Sequence, residues 1–336
     1  MHNHQMNVLV VGGAGYVGGA LTDLLADGEH NVRVYDALLY EECYRKPVDF
    51  VFGDIRDREV LLEQLQWADV VVWLAALVGD AACALHPEVS RCINQETVRW
   101  MSESFDGRIL FLSTCSVYGA QDGLLYEASR TAPLSVYAET KLQAETYVAD
   151  KDALVFRLGT LFGVGDPFAR IRLDLVVNAL TVRARQHGRV TVYGGEQYRP
   201  LLHVRDAARA IAENLTTRHR GVFNLATENV RIIDLAERVR DYIPGILIER
   251  VGTTYEDARN YRVSTEKAEE ILRFTPELSI DEGIDEIRRL ADSGRIKDID
   301  NPRYSNKGFL SLHNTHVGSL YQQPVSQSEY SRRIAA

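Results

Sequence analysis

The sequence predicts an α/β protein built on a doubly wound parallel sheet, with a smaller second lobe in its C-terminal half. Three observations carry this prediction. Short uninterrupted apolar runs alternate with amphipathic stretches through the first half, as buried parallel strands alternate with covering helices. The first apolar run opens directly into a glycine-rich turn and a helical stretch, GGAGYVGG. After about Gly163 the alternation loosens into short mixed segments, which marks a change of architecture.

Taken in order, residues 8–11 form a first strand and residues 16–26 a helix. Strands follow at 32–35 and 50–52, a helix near 58–65, and a strand at 70–74. Residues 87–105 read as one long helix and 109–112 as another buried strand. A helix over 135–149 and a strand at 154–158 extend the series. In the second half, GVGDPFARIRLD reads as a loop, and a helix runs from about 173 to 186. Residues 223–225 resemble one more strand of the main sheet, and 232–242 and 265–272 small amphipathic helices. The expected division is a first unit over 1–163, a second lobe over 164–300 interleaved with the sheet, and a tail over 301–336. The tail is polar with little period, so a mobile or partner-wrapping arm is expected.

The bulk composition narrows the classes. With 336 residues, 46% hydrophobic and 25% charged, the chain has an ordinary globular balance. A formal net charge of -9 argues against a nucleic-acid partner, which needs a basic face. Cys43, Cys83, Cys92 and Cys115 follow neither a metal-ligand spacing nor a compact disulfide framework. No metal site is expected. No run approaches the roughly 18 apolar residues of a membrane span, and the polar MHNHQMN start does not resemble a signal peptide. A soluble protein of the reducing cytoplasm is the expectation.

The glycine turn carries the first chemistry. Gly12, Gly15 and Gly18 lie after a strand and at the start of a helix. There glycines permit a tight turn, close backbone approach to a pyrophosphate and close helix–sheet packing. Tyr16 and Val17, at the start of that helix, are expected to touch the cofactor as well. The second strand ends in Asp36, where a carboxylate bonds both ribose hydroxyls and repels a 2′-phosphate, so NAD is favoured over NADP. Asp54, with Ile55 after the third strand, suits the adenine edge, a helix N-cap being the competing role. Leu74, Ala75 and Ala76 leave apolar room for the adenosine.

The second constellation is VYAETK, which puts Tyr137 and Lys141 on one helix face. A phenol near pKa 10 is a poor base at neutral pH, and an adjacent ammonium lowers that value. His203 reads as a structural hydrogen-bonding residue beside a strand, and Ser113 as strand-end turn chemistry.

In order, GGAGYVGG, Asp36, GDIRD, LAALVG, STCSVYG and YAETK resemble the extended short-chain dehydrogenase/reductases. Within them, the chain resembles the NAD-dependent nucleotide-sugar epimerase/dehydratase family over about residues 7–305. The resemblance implies a Rossmann-type NAD-binding domain over 1–163 and a substrate lobe over 164–300. It implies Thr114 as the catalytic hydroxyl, Tyr137 as the base and Lys141 as its partner, with Tyr137 and Lys141 also touching the cofactor. Asn94 matches an Asn near the active site, and Ser116 lies beside the substrate. Arg199 and Arg259 fall where relatives hold the substrate diphosphate, a surface ion pair being the alternative for each. Asn178 falls near the nucleotide, with helix capping or packing as its alternative. Thr160 departs from the Asn of RLGN-type segments. A homodimer is implied as well.

The turn after Thr114 separates reaction classes. Family dehydratases carry Asp-Glu there, to remove water across C5–C6, and decarboxylases a Glu at the second position. This chain has Cys115 and Ser116, whose ordinary pKa values are too high for that work, so no dehydratase activity is expected. The expectation is C4 epimerisation of a nucleotide-linked sugar through a 4-keto intermediate. A 4-keto reductase or C4 dehydrogenase is the alternative, and a non-catalytic NAD-sensing regulator a further one.

Overall fold

A computed structural model of the chain describes residues 5–252 and 259–312. Seven strands form the central sheet: β1 (Asn7–Val11), β2 (Asn31–Asp36), β3 (Asp49–Phe52), β4 (Val70–Trp73), β5 (Arg108–Thr114), β6 (Ala153–Leu158) and β7 (Gly221–Leu225). Their order is β7-β6-β5-β4-β1-β2-β3, and every neighbouring pair is parallel. The winding reverses between β1 and β4. The turns leaving those two strands therefore diverge, opening a crevice at their carboxyl ends.

Burial explains why the strands read as continuous apolar runs. Every residue of β4, β5 and β6 is buried. Leu9, Val11, Trp73 and Phe111 enter the core on one face, and Val8, Val10, Val72 and Leu110 the core on the other. Helix α1 (Tyr16–Ala26) covers the second face with Ala20, Leu21 and Leu25. Helix α2 (Val136–Val148) covers the first with Ala144 and Val148. The long helix expected over 87–105 consists of three abutting pieces, Pro87–Arg91, Cys92–Glu96 and Thr97–Ser104, with the middle one wound as a π-helix.

The second half adds the helices Val176–His187, Ile232–Tyr242 and Ile280–Asp292 and the strands Glu228–Arg231 and Tyr198–His203, which form a three-stranded sheet with Thr160–Phe162 of the first. The halves exchange strands: β7 comes from the second, while Ala120–Leu125 of the first pairs with Asn260–Val263 of the second. His203 holds this lobe together. Its Nδ1 accepts from the Arg205 N–H at 3.2 Å, and its Nε2 lies 3.2 Å from the Glu286 carboxylate.

The start of the tail departs from expectation. Pro302–Tyr304 is a 3-10 turn and Asn306–Leu312 a helix, α3. Leu310 is buried in the core cluster of Leu9 and Trp73, and the Phe309 ring meets Tyr40 edge-on at 5.1 Å. Two apolar side chains in a polar run are too few to show a period, and their partners lie far away in sequence. Residues 313–336 lie outside the described residues. Among the described residues no helix is long and apolar enough to cross a membrane.

Candidate active site

A cleft of about 250 Å³ opens where the winding of the sheet reverses. Every residue expected to touch the cofactor, from Gly12 to Lys141, lines it. Gly12 leaves β1 with φ of +85°, and a Cβ there would lie 2.4 Å from the Ala75 backbone nitrogen; both facts require glycine. The Val11 carbonyl pins the two turns together, accepting from the Leu74 and Ala75 N–H groups at 2.8 and 2.9 Å. Gly15 is exposed and caps α1 without any side chain on its first N–H groups, and no acidic residue lies in the first turn. A bare helix N-terminus of this kind receives a pyrophosphate.

Asp36 ends β2 in the cleft wall. Its Oδ2 accepts from the Ala14 N–H at 3.0 Å and its Oδ1 from the Leu38 N–H at 2.7 Å. Each oxygen keeps a second lone pair for a ribose hydroxyl. The residue is half-buried, and the protein around it desolvates the carboxyl and pushes it up to about 6, against the pull of those two N–H groups. Asp54 lines the cleft too, but Arg56 holds its carboxylate, donating from its backbone N–H at 2.9 Å and its Nε at 2.8 Å. The N-cap role weighed for Asp54 belongs to Asp57, whose Oδ1 accepts from the Val60 N–H at 3.3 Å. The bare helix start, the Asp36 carboxylate and the small Ala75 and Ala76 fit a dinucleotide.

Tyr137 and Lys141 line the crevice, and Thr114 ends β5 just behind it, near the phenol. Ser135 caps α2, its Oγ accepting from the Ala138 N–H at 3.2 Å, so Tyr137 sits in the first turn. The Thr114 side chain lies near the Tyr137 phenol and favours its ionised form. Thr114 Oγ1 also accepts from the Ser116 N–H at 3.1 Å and caps the 3-10 turn Cys115–Tyr118. One residue thus ends the strand, caps the turn that follows and borders the phenol. Lys141 Nζ donates to the Leu112 carbonyl at 2.7 Å and lies 4.8 Å from the Phe111 ring centroid. Burial lowers the Lys141 pKa to about 8. Burial raises that of Tyr137 strongly, helped by Cys83 and Asp80 and opposed by Arg172 and Thr114.

The turn after Thr114 contains no carboxylate. The Cys115 thiol is buried, donates to the Arg157 carbonyl at 3.1 Å, and is pushed far above the ordinary thiol range by burial. Ser116 Oγ lies 3.4 Å from the Tyr261 hydroxyl and accepts from Arg259 at 3.2 Å. Ser113 is structural: it donates to Glu145 at 2.5 Å, and Glu145 pairs with the buried Arg157 at 2.7 Å.

The four remaining residues expected at the substrate divide into two pairs. Arg199 and Arg259 lie together, an Arg199 N–H donating to the Arg259 carbonyl, and Arg259 reaches Ser116 and Asp80. Asn94 and Asn178 lie behind the cleft walls. Asn94 accepts from the Leu77 N–H at 2.8 Å and donates to the Leu77 carbonyl at 2.9 Å, which fixes the loop after β4. Asn178 accepts from the Gly163 N–H at 2.9 Å and donates to the Gly163 and Arg172 carbonyls at 3.1 and 2.8 Å. Both side chains are fully buried, with their amides committed to backbone.

Two residues of this region escape the motif reading. Asp80 joins Arg259 at 2.9 Å and accepts from Ser135 at 2.6 Å. Arg172, 8% exposed, lines the cleft and holds Asp174 through Nε and a terminal nitrogen at 2.6 and 3.1 Å. The R-x-D spacing in ARIRLD was the only available signal, and as an isolated pair it points equally to the surface. Among the described residues no cluster of His, Cys, Asp and Glu could hold a metal ion.

The profile of the NAD dependent epimerase/dehydratase family matches residues 8–226. UDP-glucuronic acid decarboxylase 3 of Arabidopsis thaliana is 26% identical over 300 residues, covering 83% of this chain and 87% of its own. UDP-glucose 4-epimerase of Streptococcus mutans is 27% identical over 310 residues, covering 81% and 92%. The structure of MoeE5 in complex with UDP-glucuronic acid and NAD superposes with a TM-score of 0.74 at 26% identity, covering 85% of this chain and 99% of that one. With the cleft built as described, the chain belongs to the NAD-dependent epimerase/dehydratase family of extended short-chain dehydrogenase/reductases, and NAD is its cofactor.

Proposed function

We propose that the protein is an epimerase that inverts C4 of a nucleotide-linked hexose or heptose through a 4-keto intermediate. One observation carries the reading: Thr114, Tyr137 and Lys141 converge at the end of β5, and the turn that follows offers no carboxylate. Tyr137 Oη removes the proton of the C4 hydroxyl and returns it to the opposite epimer. Thr114 Oγ1, beside that phenol, orients the same substrate oxygen. Lys141 holds a positive charge one helical turn away and binds the nicotinamide ribose. When bound, NAD supplies the hydride acceptor and donor, and its oxidised ring adds the positive charge that lowers a buried phenol.

The remaining residues bind and orient. Asp36 accepts from the adenosine ribose, and the N-terminus of α1 holds the pyrophosphate. Arg199 and Arg259 receive the substrate diphosphate, Arg259 exchanging Asp80 for phosphate oxygens, while Ser116 faces the sugar. Removing water across C5–C6 needs an acid and a base beside Thr114. Cys115, buried against the Arg157 carbonyl, cannot take either role.

The test is incubation with UDP-, dTDP-, GDP- and ADP-linked hexoses, with products identified by NMR. A C4 epimer with no change in reduced nicotinamide is expected. Stoichiometric oxidation or reduction of the cofactor would instead make the protein a dehydrogenase or reductase, and loss of water or carbon dioxide would overturn the reading of Cys115 and Ser116.

A further inference from the structure

The cleft has a wall that the glycine turn and Asp36 do not supply, and this wall ends in α3. Asn306, at the start of α3, is 3% exposed and lines the cleft with Tyr40 and Arg170. Its Nδ2 donates to the Val78 carbonyl in the loop after β4 at 2.9 Å, across 228 residues of sequence. Its Oδ1 accepts from Arg170 at 2.6 Å, and its N–H donates to Asp174 at 2.9 Å. Arg170 donates to the Arg303 carbonyl at 3.0 Å, lays its guanidinium 4.2 Å from the Tyr40 ring centroid, and donates its own N–H to Glu41 at 2.8 Å. Tyr40 returns to α3 by its edge contact with Phe309. The loop after β2, the segment 169–174 and α3 therefore form one closed ring of contacts, to which Asn306 ties the loop after β4, and each of the four contributes residues to the cleft.

We propose that α3 is part of the dinucleotide site: it straps the cofactor into the cleft, so that NAD stays bound from one turnover to the next. A ligand filling this cleft lies against Asn306, Arg170 and Tyr40 as well as against the glycine turn. On this proposal the cofactor leaves when α3 parts from the loops at Val78–Asn306 or at Tyr40–Phe309. The inference deepens the proposed epimerase, because an epimerase reuses one cofactor molecule, whereas a dehydrogenase must exchange it. The alternative is that α3 only ties the two lobes together.

The experiment uses the full chain and two variants, Asn306→Ala and Phe309→Ala, loaded with NADH. Release is followed by nicotinamide fluorescence on mixing with excess NAD, and thermal unfolding of each cofactor-free protein is recorded beside it. Each variant is expected to release NADH about tenfold faster, the scale of one lost hydrogen-bonded or packed contact. Release at the wild-type rate in the variants that fold overturns the strap, even if unfolding shifts to lower temperature, because an inter-lobe tie alone would move stability and leave release unchanged. Fast release in the variants with slow release in the wild type supports the strap even if no sugar nucleotide is epimerised; that second result would remove the epimerase reading alone.

Discussion

Asp80 and Arg259 form an ion pair at 2.9 Å that joins the start of the short helix Asp80–Cys83 to the residue before the strand Asn260–Val263. The same carboxylate accepts from Ser135, the N-cap of α2, at 2.6 Å. Its charge is also one of the influences that raise the Tyr137 pKa. One acid thus touches an arginine expected at the substrate, the start of the helix that carries the base, and the proton affinity of that base.

Asp80→Asn removes a negative charge near the phenol and keeps an acceptor for Ser135. The acidic limb of the kcat/KM–pH profile should move to lower pH, since ionising Tyr137 becomes less costly. A limb that stays in place would show that Asp80 does not act on the phenol.

Tyr137→Phe removes the group proposed to move the C4 hydroxyl proton, while leaving the ring that packs beside the cleft. Turnover should fall by about 10²–10⁴-fold, the usual contribution of a positioned acid–base group. NAD should still bind, as measured by fluorescence titration. An unchanged kcat would move the proton transfer to another residue.

Asp36 should make cofactor affinity depend on pH. Its carboxyl, held at about 6 by desolvation, is largely protonated below that value in the cofactor-free protein. Ribose hydroxyls donate best to the ionised form, so NAD affinity should rise as pH increases through about 6 and level off above it. Asp36→Asn should flatten this dependence and weaken binding at pH 7.5 by roughly tenfold or more, the scale of losing charge-assisted hydrogen bonds.

The dinucleotide side of this site was legible because its signals are local. Gly12, Gly15, Gly18 and Asp36 belong to one strand–helix–strand unit, and strands buried on both faces read as unbroken apolar runs. Tyr137 and Lys141 are four apart on one helix, so spacing alone puts them on one face. Asn94 and Asn178 mark the limit of such reading: a motif fixes where a residue stands in the chain but not which way its amide turns, and here both turn to backbone. Asp80 and Asn306 were not legible at all, and Arg172 only as an ambiguous R-x-D pair. Their significance comes from partners brought in by the fold, as with Asn306 and Val78, and no local pattern encodes such a contact.

Lys141 predicts an unusual slope of stability against pH. Its folded pKa of about 8 lies below the ordinary 10.5. Between these values the unfolded chain holds the proton more tightly, so this group makes the free energy of unfolding rise as pH increases from about 8 to 10.5. Below pH 8 the cost of burying the ammonium is fully present. Lys141→Met should remove that slope and abolish activity, as read by denaturant titrations across the window. An unaltered slope in the variant would mean that Lys141 is not the group responsible.

The most direct test of the central claim uses nucleotide-linked hexoses deuterated at C4, with UDP-, dTDP-, GDP- and ADP-linked forms run in parallel against the NAD-loaded protein. The account predicts a C4 epimer that keeps its deuterium at C4 while no reduced nicotinamide accumulates. Deuterium missing from C4 of the product, or a product formed by net oxidation, dehydration or decarboxylation, would contradict it.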